Sequence, residues 1–428
     1  MQSKRTTRRS IRILAAALAI SPAIYGQTLN TLYSFSHNEL GYQPRTGVTI
    51  GPNGQLYGTS LYGGASGLGV AYELLPPASS GAAWTYVVLH SFNSNSGDGP
   101  PTSGLLLGST GVLYGTTGVN NVGGGGTVFQ LKPPTGAGNH WSEAVLHAFT
   151  GLNGDGYNPE AAPIFGPHKA LYGTTYDGGL GVVGAVYRLA PPSAQGGAWT
   201  EQVLYSFTGG NGGGAPSGPL ALGANGTIFG TTGNGGSDPL AGMAFQLAPP
   251  TAPGGSWMEA TLYSFGSQPG DSGLPNGLVL GPNGVLYGTA EGSTAARACF
   301  NGCGTVFQLT PPPSPGGAWT ETILHTFTGL FPNADGSQPS STPVLGPGGV
   351  LYGTTLGGGT ANQGTIFEMV PPSAPGGTWT EVVLYSFAEG AGGVFPNAVT
   401  LGPDGNLYGT TESSGANNLG TVFQLVLK

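Results

Sequence analysis

Short apolar runs, separated by Gly-, Pro- and Ser-rich gaps, recur along this chain in a fixed order. The unit from Pro275 to Phe327 shows the pattern. Its first run, PNGLVLG, is continuously apolar at its centre and reads as a strand buried on both faces. Gly281-Pro282-Asn283-Gly284 supplies turn chemistry, and VLYGTA returns as a second strand. A Gly-rich loop of variable length leads to a third strand, Gly304–Leu309 (GTVFQL), and then to a run of prolines. The fourth run, Trp319–Phe327, alternates apolar and polar side chains, as a half-exposed outer strand should.

The second-strand motif, LYGTT or a near copy, occurs seven times, beginning at Leu56, Leu113, Leu171, Ile228, Leu286, Leu351 and Leu407. The intervals are 57, 58, 57, 58, 65 and 56 residues. A fixed period of this length signals a repeat architecture, in which each unit buries its apolar face against its neighbours. The interval from the Gly before the turn to the Leu or Ile is five residues in every copy, so the hairpin pins strand register. All six Trp, at 84, 141, 199, 257, 319 and 379, begin the fourth run.

Four antiparallel strands repeated seven times predict an all-β, seven-bladed β-propeller. Residues 29–35 match the fourth strand alone, and the last repeat stops after its third, Gly420–Val426. The N-terminal strand is therefore expected to complete the last blade, antiparallel to Thr421–Leu425, and close the ring. Residues 27–428 then form one domain. Glu143, Glu201, Glu259, Glu321 and Glu381 are expected to put charge on the outer strands and discourage edge-to-edge pairing.

Composition changes this picture little. Gly (82) and Pro (36) are abundant enough to suggest disorder, but they fall in the gaps between aromatic-rich runs, where turns need them. Residues 1–26 are different in kind. Lys4, Arg5, Arg8, Arg9 and Arg12 precede a short apolar run, Ile13–Ile20, and small residues follow at Ser21, Ala23 and Gly26. This predicts a secretory signal peptide, too short to span a bilayer. Without its five basic residues, six basic groups face nineteen acidic ones, a net charge of −13. Nucleic acid and anionic membranes are excluded as partners, since no basic cluster remains. Cys299 and Cys303 (ACFNGC) are the only cysteines and, in an exported chain, predict a local, dispensable disulfide in an inserted loop. Two thiols alone make a poor metal site.

The LYGTT, GTVFQL and LYSF segments, with loops such as Asn153-Gly154-Asp155-Gly156, resemble the bacterial GloVer-type tandem repeat of the choice-of-anchor family, over residues 29 to 427. The resemblance implies export and supplies no catalytic residues. Anchored members carry C-terminal sorting segments, whereas this chain ends at Lys428 directly after a repeat.

Residues present in every copy are read as scaffold. The recurring Tyr, Phe and Trp are expected to pack between blades. His90, His147 and His325 exchange with Tyr33, Tyr205, Tyr263 and Tyr385, which marks them as structural. Function is expected on loops that vary, where the loop entering the innermost strand and the loop after the second strand share a face. Those loops hold Asp98, Asp155, Asn158, Asp271, Asn276, Asn333, Asp335 and Asn397. Such groups suit a hydroxyl-rich ligand or Ca²⁺, and equally they make turns; no other cofactor is expected. HExxH, GxSxG and GxxxxGK[ST] motifs are absent. The expectation is a monomeric, exported binding module for an extracellular or envelope glycan. The alternatives are a polysaccharide hydrolase or lyase working from the same rim, and an envelope protein that binds another protein.

Overall fold

The computed structural model describes residues 27–428 apart from 37–39, 80, 94–98, 120–123, 137–139, 195, 253, 269, 294–302, 315, 330–334 and 375. Seven four-stranded antiparallel sheets follow one another around a ring as a seven-bladed β-propeller. Blades 1 to 6 run from Thr49 to Ser91, Leu106 to Ala148, Ile164 to Ser206, Ala221 to Ser264, Ser272 to Thr326 and Val344 to Ser386. Blade 7 takes its first three strands from Val394–Leu401, Leu407–Ser413 and Thr421–Val426, and its outer strand from Thr28–Ser34. Leu29 pairs with Leu425 and Ser34 with Thr421, so the ring closes through the N-terminal strand as expected. Among the described residues no helix is long and apolar enough to cross a membrane.

The repeated motif repeats its register. The first residue of LYGTT faces Leu74, Leu131, Leu189, Leu247, Leu309, Met369 and Leu425 of the third strands in turn. The fully buried strand is this second one, as in Leu56–Ser60, not the first, which borders the axis and is only half-buried. The Gly of LYG has a specific cause. A Cβ on Gly353 would stand 2.4 Å from Phe367 Cζ, because the third-strand ring lies across it.

The core lies between blades. Phe207, at the end of the outer strand of blade 3, meets Phe245 of blade 4 at 5.1 Å, and the same ring pair recurs as Phe92–Phe129 and Phe327–Phe367. Tyr57 packs on Trp141 of the next blade, and Tyr114 on Trp199. The recurrent aromatics are therefore inter-blade packing. The first Thr of LYGTT reaches sideways: Thr59 donates to Ser103 O, Thr289 to Ser341 O and Thr410 to Thr46 O. These hydroxyls tie successive inner strands into a ring about the axis.

The outer-strand glutamates do not decorate the edge as expected. Glu201, Glu321 and Glu381 are only partly exposed, and each turns toward the His or Tyr of the preceding blade's outer strand. A β-bulge in every outer pairing, at Leu204 in blade 3 for instance, changes the face of the Tyr or His that follows it, Tyr205 here, relative to the glutamate earlier on the strand.

Candidate functional site

At six of the seven entrances to the inner ring, on the loop before the first strand or at that strand's start, a non-glycine residue takes the left-handed region just before proline. They are Gln43 (φ 54°), Asn158 (59°), Ala215 (54°), Leu274 (58°), Gln338 (56°) and Phe395 (57°), with Pro100 in the seventh place. This conformation is unfavourable for a side chain-bearing residue, and the surroundings enforce it. The N–H of each donates to the preceding blade, for example Gln43 to Leu419 O at 3.0 Å and Asn158 to Gly125 O at 2.7 Å. Their carbonyls accept from the residue after LYGTT, as Tyr176 N does to Asn158 O at 2.9 Å. Seven side chains of six kinds are thus presented around one mouth of the inner ring on an interlocked backbone.

Five of the seven residues that follow these prolines divide into two kinds, and Ser217 and Ser340 take the other two places. Asn276 Nδ2 donates to Pro339 O at 2.6 Å, Asn397 Nδ2 to Pro44 O at 2.8 Å and Thr102 Oγ1 to Pro159 O at 2.7 Å, each clamping the next blade. Arg45 and Glu160 occupy the same position with charges. Arg45 pairs with Glu412 at 3.4 Å, and Glu160 Oε1 accepts from Asn158 Nδ2 at 3.1 Å. Burial raises Glu160 above its ordinary value, with the Asn158 hydrogen bond opposing and Asp177 adding to the shift, and burial raises Asp177 and Glu291 as well. Among the described residues the mouth therefore carries Glu160, Asp177, Glu291 and Glu412 with Arg45 as the cation. Beside Gln43, Tyr42 stacks on the exposed Tyr62 with ring centroids 5.5 Å apart.

The sequence-predicted residues separate into three places. Asp98 and Asn333 lie outside the described residues, as do Cys299 and the first 26 positions. Cys303 is buried in the junction of blades 5 and 6. Asn158 stands at the mouth, whereas Asn276 and Asn397 are committed to the inner ring. Asp155, Asp271 and Asp335 gather at the periphery. Asp155 accepts from Thr150 N and Oγ1 and lies 3.2 Å from His147 Nε2. Asp271 accepts from Tyr263 Oη at 2.8 Å and from Ser267 N, and Asp335 from Thr328 N and Oγ1 with His325 Nε2 at 3.4 Å.

A glutamate completes each peripheral set. Burial would raise Asp155 and Asp335, but hydrogen bonds from the His and Thr outweigh it and hold both below the ordinary value. Burial pushes Glu381 up to about 7, with His325 opposing and Asp335 adding to the shift. Burial, and then the neighbouring Asp271 carboxylate, push Glu321 up to about 9. Sequence reasoning missed these glutamates and the mouth carboxylates. A signal existed: His147, His90 and Tyr263 have Asp eight residues on and His325 has one ten on, whereas Tyr33, Tyr205 and Tyr385 have Gly at the eighth place.

A family model described as the Gloeobacter/Verrucomicrobia repeat matches residues 19–162, 137–297 and 275–428, and the chain belongs to that family. No curated protein matches the chain. Among solved structures, the extracellular domain of a hybrid two-component system from B. thetaiotaomicron is similar at a TM-score of 0.51 and 11% identity, covering 92% of this chain and 39% of that one. A glucose dehydrogenase from Thermus thermophilus is similar at a TM-score of 0.43 and 16% identity (94% and 100% covered). The NanB sialidase of Streptococcus pneumoniae is similar at 0.42 and 12% (92% and 70%). At these identities the likeness concerns the fold alone.

Proposed function

We propose that this member of the Gloeobacter/Verrucomicrobia repeat family is an exported binding module whose propeller mouth takes an extracellular or envelope glycan. The observation that carries the reading is the contrast at the position after each proline. There, at two of the seven positions, side chains that clamp the next blade give way to the charged Arg45 and Glu160. Carboxylates, an amide and a guanidinium suit sugar hydroxyls, and the Tyr42–Tyr62 pair offers an exposed aromatic surface. The rigid, left-handed backbone beneath them limits the entropy lost on binding.

Hydrolysis is the second reading, favoured by Glu160. Its raised value and the neighbouring Asp177 are what a general acid beside a second carboxylate requires. A glycan-array screen of the purified protein, with product analysis on every hit, separates the readings. Glu160→Gln and Tyr62→Ala are expected to weaken a hit by about tenfold or more, the loss of one or two directed contacts. Absence of any hit, or binding indifferent to both substitutions, overturns the mouth as a glycan site. Cleaved product that disappears in Glu160→Gln establishes the enzyme.

A further inference from the structure

We propose that His147, Asp155 and Glu201 form a site for a divalent cation of the zinc class at the junction of blades 2 and 3. The inference is independent of what the mouth binds. One ligand atom from each of the three lies within 4.8 Å of the others. His147 Nε2 and Asp155 Oδ1 are already 3.2 Å apart, close to the ligand–ligand spacing that bonds of about 2.0–2.1 Å impose on a tetrahedral zinc. Glu201 has the longer approach to make, within reach of a side-chain rotation.

Three observations separate this set from a solvated cluster of charges. Asp155 is aimed, because Thr150 N–H and its hydroxyl hold Oδ2 at 2.7 and 2.8 Å and leave Oδ1 toward the imidazole. Outer bonds of this kind orient metal ligands. Glu201 Oε1 is shielded from solvent yet accepts no hydrogen bond, and a cation would satisfy it. An open groove lined by Leu152, Asp155, Leu180, Glu201 and Tyr205 leads to the cluster and gives an ion its path. One imidazole with two carboxylates suits Zn²⁺, Co²⁺ or Mn²⁺, whereas Ca²⁺ gathers about six to eight oxygen ligands.

The same residue types recur at the junction of blades 5 and 6, where His325 lies 3.4 Å from Asp335 and Glu381 Oε1 is likewise shielded without a partner. The junction of blades 4 and 5 provides a contrast inside the molecule. Tyr263 replaces the imidazole there and donates to Asp271, so the nitrogen ligand is missing.

The test uses the purified, chelator-treated protein with Zn²⁺ alone in calorimetry and Co²⁺ alone in absorption spectroscopy. The wild type is expected to bind Zn²⁺ and to melt at a higher temperature, reversibly on adding chelator. His147→Tyr installs the side chain the fold already carries at Tyr205 and Tyr263, and Glu201→Gln keeps the shape of the carboxylate. Each is expected to lose one equivalent of metal, or to bind it about tenfold or more weakly, while the chelated proteins melt like the chelated wild type. Glu201→Gln alone decides the matter if the His147 variant is unstable. Unchanged stoichiometry and affinity in Glu201→Gln, or no binding by the wild type at about 0.1 mM Zn²⁺, overturns the proposal.

Discussion

The junction between blades 7 and 1 and the junction between blades 2 and 3 are built at equivalent positions from opposite chemistry. At the first, Tyr33 stacks on Tyr86 with centroids 4.4 Å apart, Phe35 meets Tyr72 edge-on at 5.4 Å, and Gly41 occupies the loop position. At the second, His147, Glu201 and Asp155 stand where Tyr33, Tyr86 and Gly41 do. The same aromatic pair, Phe35–Tyr72 and Phe149–Tyr187, and the same Thr hydroxyl bond of the inner ring, Thr410 to Thr46 O and Thr116 to Ala161 O, hold the backbone in both. The outer junction is therefore free to vary. One version is apolar and closes the ring, while the other titrates.

The largest effect is expected from breaking the aromatic junction. Deleting residues 27–36 removes the outer strand of blade 7, with Phe35 and Leu32, and uncovers the edge Thr421–Val426. Burial of two such side chains contributes roughly 3–6 kcal/mol before any ladder bond is counted. The truncated protein should aggregate or become protease-sensitive at both ends, as limited proteolysis and thermal unfolding would show. A soluble truncation with unchanged melting would mean that ring closure contributes nothing.

The charged junctions should sharpen the comparison through pH. The folded-state values of Glu321 (about 9) and Glu381 (about 7) lie above the ordinary glutamate value of 4.5, so the folded protein holds protons that the unfolded chain has released. Stability is then full below about pH 4.5 for these groups and falls as pH rises through 7 and toward 9. For Glu381 the loss is on the order of 3 kcal/mol, at 1.36 kcal/mol per unit. Asp155 and Asp335 act oppositely: their contribution is present above the ordinary Asp value and is lost on acidification. In chelator, the melting temperature should decline from about pH 5 to 9, and Glu321→Gln with Glu381→Gln should flatten that decline. A pH-independent melting temperature in the wild type would remove the distinction between the two kinds of junction.

The smallest effect belongs to the aromatic side again. Tyr86→Phe keeps the stack on Tyr33 and removes only the hydroxyl bond to Leu40 O. A cost of about 1 kcal/mol, constant from pH 5 to 8, is expected from chemical denaturation at several pH values. A pH-dependent cost would place a titrating group at that junction as well.

Much of the scaffold was legible in the sequence because the physics that sets it is periodic. The fixed hairpin before each LYG set the register, as Gly51 N to Gln55 O and Gly402 N to Asn406 O, both 2.7 Å, bear out. The complementary truncation of the first and last repeats gave the pairing of Leu29 with Leu425 across the whole chain. The candidate site was less legible. Asp155, Asp271 and Asp335 sit on the loops as expected, but the bulged outer strands bring His or Tyr against them at the periphery.

The sequence by itself determined the repeat number, the four-strand unit, the closure and the aromatic packing, since each follows from local alternation and turn chemistry repeated seven times. Only the tertiary structure decided which charges meet. Glu201 is 54 residues from His147 and joins it because neighbouring outer strands lie side by side. Arg45 and Glu412 are 367 residues apart and pair only because the ring closes. Contacts between blades depend on the curvature of the whole ring and on a bulge that re-aims one side chain, and neither is a property of any single repeat.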